Sequence, residues 1–321
     1  MHARRDEQYQ LWLIGCLALL ALVSFVMQAT FFTTDFRPDE WRSLPQFLDR
    51  LAGSSGLVPE IWTRVVLLSL NLALVGALWS TRLITGRTLA LALIWPLTLF
   101  LFSKIYWEFF VFPLCLIRLD LKRRQELVFI GILAGLLWLT GEANLIVIMV
   151  WRCVLLAQKS RRVWSVPIVV IVLGIALDQA MQAGVGGQIP VIGESLARFT
   201  WTRDIVNPEY SVLETLGVFF VSFHFFSLHD GAYWIDAAFS ATVLAWLASS
   251  REFWGLARQN AHLVLGLVAV VFLFTSVTHA FQNARYYFFF MPVLAALVPL
   301  SRLPGLALLG LLHVAVHGLI L

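Results

Sequence analysis

Long apolar runs separated by short turns rich in Arg and Lys constrain this chain more than any single motif. A spanning helix takes about 20 predominantly apolar residues. The first run covers 11–33, and others follow at 61–80, 89–118, 127–158, 165–182, 233–249, 261–279, 286–301 and 304–321. Of the 321 residues, 60% are hydrophobic and only 13% charged, with a mean hydropathy of +0.83. A soluble domain carries about a quarter charged residues, and one water-soluble core cannot hide this much apolar surface. The composition therefore predicts an all-α fold, a polytopic transmembrane helical bundle, with 1–321 as a single integral membrane domain. Run 11–33 is too long for a signal h-region and lacks a clear small-residue cleavage site, so it is read as a retained helix.

Charge sets the expected topology, because cytoplasmic loops collect Lys and Arg. Arg4 and Arg5 place the N-terminus in the cytoplasm. Helix 61–80 then returns to a turn with Arg82 and Arg87. The cluster Lys122, Arg123, Arg124 and the group Lys159, Arg161, Arg162 stay cytoplasmic only if two runs are broken, one near Ser103-Lys104 and one at 141–144. Such breaks are tolerated at membrane depth where they line a water-filled cavity. If 212–228 is re-entrant or interfacial, Arg251 and Arg258 are cytoplasmic and Arg285 faces outside. The layout then has about eleven spans plus that one element. No internal repeat, low-complexity tract or soluble domain is apparent.

The loop 34–43 concentrates chemistry: Asp35, Asp39 and Glu40 with Arg37, Arg42 and Trp41, all beside the first apolar run. A carboxylate near a low-dielectric surface can be tuned into a general base. The same residues also suit a solvated loop or a helix start, where Asp and Glu favour the first turn. Lys104 and Glu108 are spaced to pair on one helix face. A fixed cation there can hold a phosphate leaving group, or it can be a lysine that snorkels to the interface. Glu142 with Asn144 makes a third polar break. Arg285, followed by Tyr286, offers a planar fork for phosphate, or belongs to an interfacial Arg/Tyr belt. Arg203 is a weaker candidate of the same kind. No tight metal-ligand spacing is present, the three cysteines form no paired pattern, and no cofactor is indicated. The basic residues sit mostly in short turns between apolar runs, which argues against a nucleic-acid partner.

Residues 36–41 resemble the acidic first exterior loop of GT-C glycosyltransferases. Phe102-Ser103-Lys104 is similar to the Ser-Lys-Glu region of Wzy-type polysaccharide polymerases, although Ile105 stands where that pattern has Glu. Asn283-Ala284-Arg285-Tyr286, ahead of Pro292, is similar to the Arg-Tyr-Pro region of both. The resemblance implies a GT-C-like bundle in a bacterial inner membrane that transfers saccharide from an undecaprenyl-linked donor on the periplasmic face. The chain is short for a full GT-C enzyme, which favours a repeat-unit polymerase for exopolysaccharide, capsule or O-antigen. It further implies Asp39 or Glu40 as base, Arg285 and Lys104 on the departing (di)phosphate, and Trp41 and Tyr286 stacked on sugar. The partners implied are the polyprenyl-(di)phosphate-linked saccharide, the lipid bilayer and glycan-assembly proteins. A GT-C enzyme adding a single sugar, a polytopic transporter or lipid flippase, and a non-catalytic assembly partner are the alternatives.

Overall fold

The computed structural model describes residues 15, 59–94, 108–140, 144–159, 165–183, 233–278 and 289–320. Every regular element among them is helical: α1 Pro59–Ser80, α2 Gly86–Ile94, α3 Glu108–Cys115, α4 Arg123–Thr140, α5 Asn144–Gln158, α6 Ser165–Gln182, α7 Tyr233–Ala248, α8 Arg251–Gln259, α9 Ala261–Thr278, α10 Met291–Leu297 and α11 Leu303–Ile320, with a 3-10 turn at Leu300–Arg302. The all-α expectation holds.

The chain gathers into two compact units. One comprises Met1–Arg118 with Leu303–Leu319, the other Leu119–Arg302 with Ile320–Leu321. In the first, α1 packs on α3. The turn after α1 is a Schellman motif, in which the Leu83 N–H donates to the Leu78 carbonyl (2.8 Å) and the Arg82 N–H to the Trp79 carbonyl (2.9 Å). That closure places Arg82 at φ 60, a left-handed conformation that usually falls to glycine. The Arg118 N–H donates to the Leu83 carbonyl at 2.9 Å, which ties the turn to the segment after α3.

In the second unit α9 is the hub, packing on α6 and α5. Its sequence is apolar on all sides, as expected of a helix surrounded by others. Ala269, Val270, Val271, Leu273 and Phe274 are buried. Gly174 lets α6 approach closely, since a Cβ there would lie 3.2 Å from the Leu273 Cα. Helices α4 and α5 form an antiparallel hairpin; of the break that charge parity predicts at 141–144, residues 141–143 lie outside the described residues and Asn144 is the first residue of α5. The partner break near Ser103-Lys104 falls outside the described residues, between α2 and α3.

One expected helix ends early. In the described part of run 286–301, residues 289–301, the α-helix is Met291–Leu297, starting with a proline in its first turn. It stops because Val298 is extended (φ −77, ψ 122), the conformation imposed on a residue that precedes a proline, here Pro299. Conversely, the stretch containing Arg251 and Arg258 is a helix, α8. Ser250 caps it by accepting from the Phe253 N–H at 3.3 Å, and it is bent 79° from α9.

Among the described residues no single helix is long and apolar enough to cross a membrane. The pairs Arg251–Gln259 with Ala261–Ser276 and Met291–Leu297 with Leu300–His313 reach that length and composition only together.

Around a mostly apolar core, two helices leave many large apolar side chains exposed. On α4, Glu126, Phe129 and Leu133 are buried, while Leu127, Val128, Ile132, Trp138 and Leu139 are exposed, Trp138 by 86%. On α6, Ile168, Val169, Val172, Leu173 and Ile175 form a continuous exposed apolar stripe on the far side from α9. Arg152, Gln158, Ser240, Thr275 and Ser276 are meanwhile buried.

Candidate functional site

The sequence-derived candidates Asp35, Arg37, Asp39, Glu40, Trp41, Lys104, Glu142, Arg203, Arg285 and Tyr286 lie outside the described residues, as does 212–228. Glu108 is the first residue of α3. Within the described residues, the densest ionic chemistry is instead a cluster between α4 and α5.

Glu126 lies in the first turn of α4, where the helix dipole favours a carboxylate, and its side chain is wholly buried. The antiparallel α5 brings two cations to it. Arg152 Nη1 donates to Glu126 Oε1 at 3.3 Å, with the Arg152 side chain 2% exposed. Lys159 Nζ donates to Glu126 Oε2 at 3.3 Å and to the Leu121 carbonyl at 2.8 Å. The Arg152 guanidinium also lies over the Phe129 ring, 4.9 Å from its centroid, a favourable cation–π position. Each carboxylate oxygen thus receives a cation, as a buried charge requires.

The start of α4 is held by a half capping box, with the Lys122 N–H donating to Gln125 Oε1 at 3.0 Å. Gln158, one residue before Lys159, is buried and donates from Nε2 to the His262 carbonyl at 2.9 Å. This amide occupies space that a side chain at Gly266 would take: a Cβ there would lie 2.8 Å from Nε2 and 3.0 Å from Oε1.

These contacts bring several basic segments to one end of the unit. Lys159 touches Leu121, so the end of α5 meets the start of α4, with exposed Lys122, Arg123 and Arg124. Gln158 touches His262, so the start of α9 and the adjoining α8, with exposed Arg251 and Arg258, lie at the same end. Ser301 donates to Glu252 Oε2 at 3.3 Å, and Arg302 lies over Trp246 at 4.2 Å. Of the segments assigned to one side by charge parity, Lys122–Arg124, Lys159, Arg251 and Arg258 therefore gather at one end of this unit.

Sequence reasoning passed over Glu126 and Arg152. The available signal was Arg152 itself, a lone cation inside the apolar run of α5, since ionisable residues in such runs usually face a protein interior. Among the described residues, Trp151 Nε1, Ser240 Oγ and Thr275 Oγ1 are buried without a hydrogen-bond partner, and no group of three His, Cys, Asp or Glu could hold a metal ion. No protein-family model, curated protein or solved structure matches the chain.

Proposed function

We propose that this chain is an integral membrane protein of a bacterial inner membrane, with lipid against its exposed apolar helix faces and its basic end in the cytoplasm. The observation that supports this is the exposed apolar faces of α4 and α6, with Leu127, Val128, Ile132, Trp138 and Leu139 on the first and Ile168, Val169, Val172, Leu173 and Ile175 on the second, while Glu126 of α4 is buried. Contiguous exposed apolar surface of this kind is rare on soluble monomers. In lipid it costs nothing, because the surroundings are as apolar as the side chains.

Within that setting, the reading that best accounts for loop 34–43 and Arg285 is saccharide transfer from an undecaprenyl-linked donor at the periplasmic face, as a repeat-unit polymerase. Asp39 or Glu40 takes the proton of the acceptor hydroxyl while its oxygen attacks the anomeric carbon, and the bond from that carbon to the (di)phosphate breaks. Lys104 and Arg285 receive the negative charge on the leaving group. Trp41 and Tyr286 stack on sugar, Asp35 is a further candidate for the base, and Arg37, Glu108, Glu142 and Arg203 are further candidates for binding the substrate. The test is polymer length in membranes carrying Asp39→Asn, Glu40→Gln or Arg285→Ala. Loss of polymer in these variants is expected, and normal length in all three overturns the assignment. A single added sugar in place of a ladder of repeats selects the single-sugar GT-C alternative.

A second reading, a transporter or lipid flippase, is favoured by the buried Glu126–Arg152–Lys159 cluster, because ionisable groups inside apolar helices often mark a substrate or ion path. Translocation without covalent change in proteoliposomes, lost in Glu126→Gln, selects this reading.

A further inference from the structure

We infer that the outer face of α4 is a binding site for one anionic phospholipid, with the headgroup phosphate at Arg123 and Arg124 and an acyl chain along the helix. The inference rests on the membrane reading above and goes beyond it by naming the lipid and the residues that hold it.

Helical geometry puts Arg124, Val128, Ile132, Gly135 and Leu139 on one side of α4. Apart from its arginine this side is apolar, and Arg124, Val128, Ile132 and Leu139 are exposed. Glu126, Phe129 and Leu133 occupy the opposite, buried side. Nothing lies within 4 Å of where a Cβ would sit at Gly131 or Gly135, so no neighbouring element covers the strip there. From Arg124 to Leu139 it rises about 22 Å at 1.5 Å per residue, a length comparable to a lipid tail. A cation at the head of an uncovered apolar strip fits an amphiphile. A soluble polyanion would leave the strip uncovered.

Electrostatics supplies the sign. Lys122, Arg123 and Arg124 are exposed at the positive end of the α4 dipole, where cations are disfavoured unless an anion joins them. None of the three pairs with a carboxylate among the described residues. Lys159 adds to the field: two of its three donors go to Leu121 and Glu126, and its 36% exposed side chain leaves the third for an acceptor. Nearby, α8 is amphipathic, with Arg251 and Arg258 against Phe253, Trp254 and Leu256. Trp254 and Trp246 are both exposed, and Trp246 carries Arg302 on its ring. Trp residues with basic neighbours are what a helix at headgroup level carries.

The experiment reconstitutes the full chain in phosphatidylcholine nanodiscs containing trace phosphatidylglycerol or phosphatidylcholine spin-labelled on the acyl chain, and reads the motionally restricted fraction. The wild type should restrict phosphatidylglycerol several-fold more than phosphatidylcholine. Arg123→Gln with Arg124→Gln, both exposed sites, should bring the ratio near one, and the double Lys variant should retain most of it. Equal restriction of the two lipids by the wild type overturns the lipid site while leaving the membrane reading intact. So does an unchanged ratio in the Gln variant, or loss of the preference on adding soluble glycerol phosphate, which would make free phosphate the ligand. Failure of the folded chain to enter nanodiscs overturns the membrane reading itself.

Discussion

Glu126 and Arg152 stand 26 positions apart and meet at 3.3 Å with both side chains essentially sealed from the surroundings. The pair favours one register of the α4–α5 hairpin, because a slip of one turn would set Glu126 opposite Ile148 or Leu156 instead of Arg152. Lys159 closes the cluster on the second carboxylate oxygen.

Removing one partner should cost more than removing both. Glu126→Ala leaves Arg152 buried without its carboxylate, a loss of about 3–5 kcal/mol for a broken buried pair. Glu126→Gln with Arg152→Met keeps the volume and removes both charges, so it should recover most of that loss. Thermal unfolding in one detergent should rank the wild type and the double variant above the single variant.

The α5–α9 contact predicts a second pairing. Gly266→Ala would push on the Gln158 amide and weaken its bond to the His262 carbonyl. Gln158→Leu removes the donor while the His262 carbonyl keeps its place in the helix, at a cost of about 0.5–1.5 kcal/mol, the net worth of one hydrogen bond. Because both changes act on one bond, the combined variant should lose less than the sum of the two. A double-mutant cycle on unfolding midpoints reads this directly.

At the turn after α1, Arg82 holds a left-handed backbone that costs an L-residue about 1–2 kcal/mol and glycine almost nothing. Arg82→Gly should raise stability by up to about 1 kcal/mol, after glycine's greater loss of chain entropy. Arg82→Val should lower it, as β-branching adds to the strain. Equal unfolding midpoints for the Gly and Val variants would contradict the assigned conformation.

Periodicity and charge made much of the fold legible. Helix 61–80 appears as Pro59–Ser80 and run 165–182 as Ser165–Gln182, and run 127–158 holds two helices, Arg123–Thr140 and Asn144–Gln158, as the need to keep Lys122–Arg124 and Lys159 on one side suggested. Local proline chemistry was underweighted, so apolar run 286–301 suggested a long helix where Val298, ahead of Pro299, turns extended. The Glu126–Arg152 pair stayed hidden for another reason. Hydropathy sums treat a single charge in an apolar run as a small perturbation, while its partner lies on a different helix. The catalytic proposal on loop 34–43 and Arg285 stands on residue types and resemblance, because those residues lie outside the described ones.

The side of the basic end can be read from labelling. Cysteine placed at Arg124 in intact, right-side-out bacteria should resist a membrane-impermeant maleimide and react once the cells are opened. Cysteine at Arg285 should react in intact cells. Labelling at both positions from the same side would contradict the charge-parity topology.

The most direct measurement concerns the α6 stripe. A fluorophore attached at Val172→Cys, in a background without native cysteines, is reconstituted in liposomes and exposed to quenchers on acyl chains or in water. Strong quenching by mid-chain labels and weak quenching by aqueous iodide are predicted, since Val172 sits in the middle of an exposed apolar face. Efficient iodide quenching with no response to the acyl-chain labels would contradict the account.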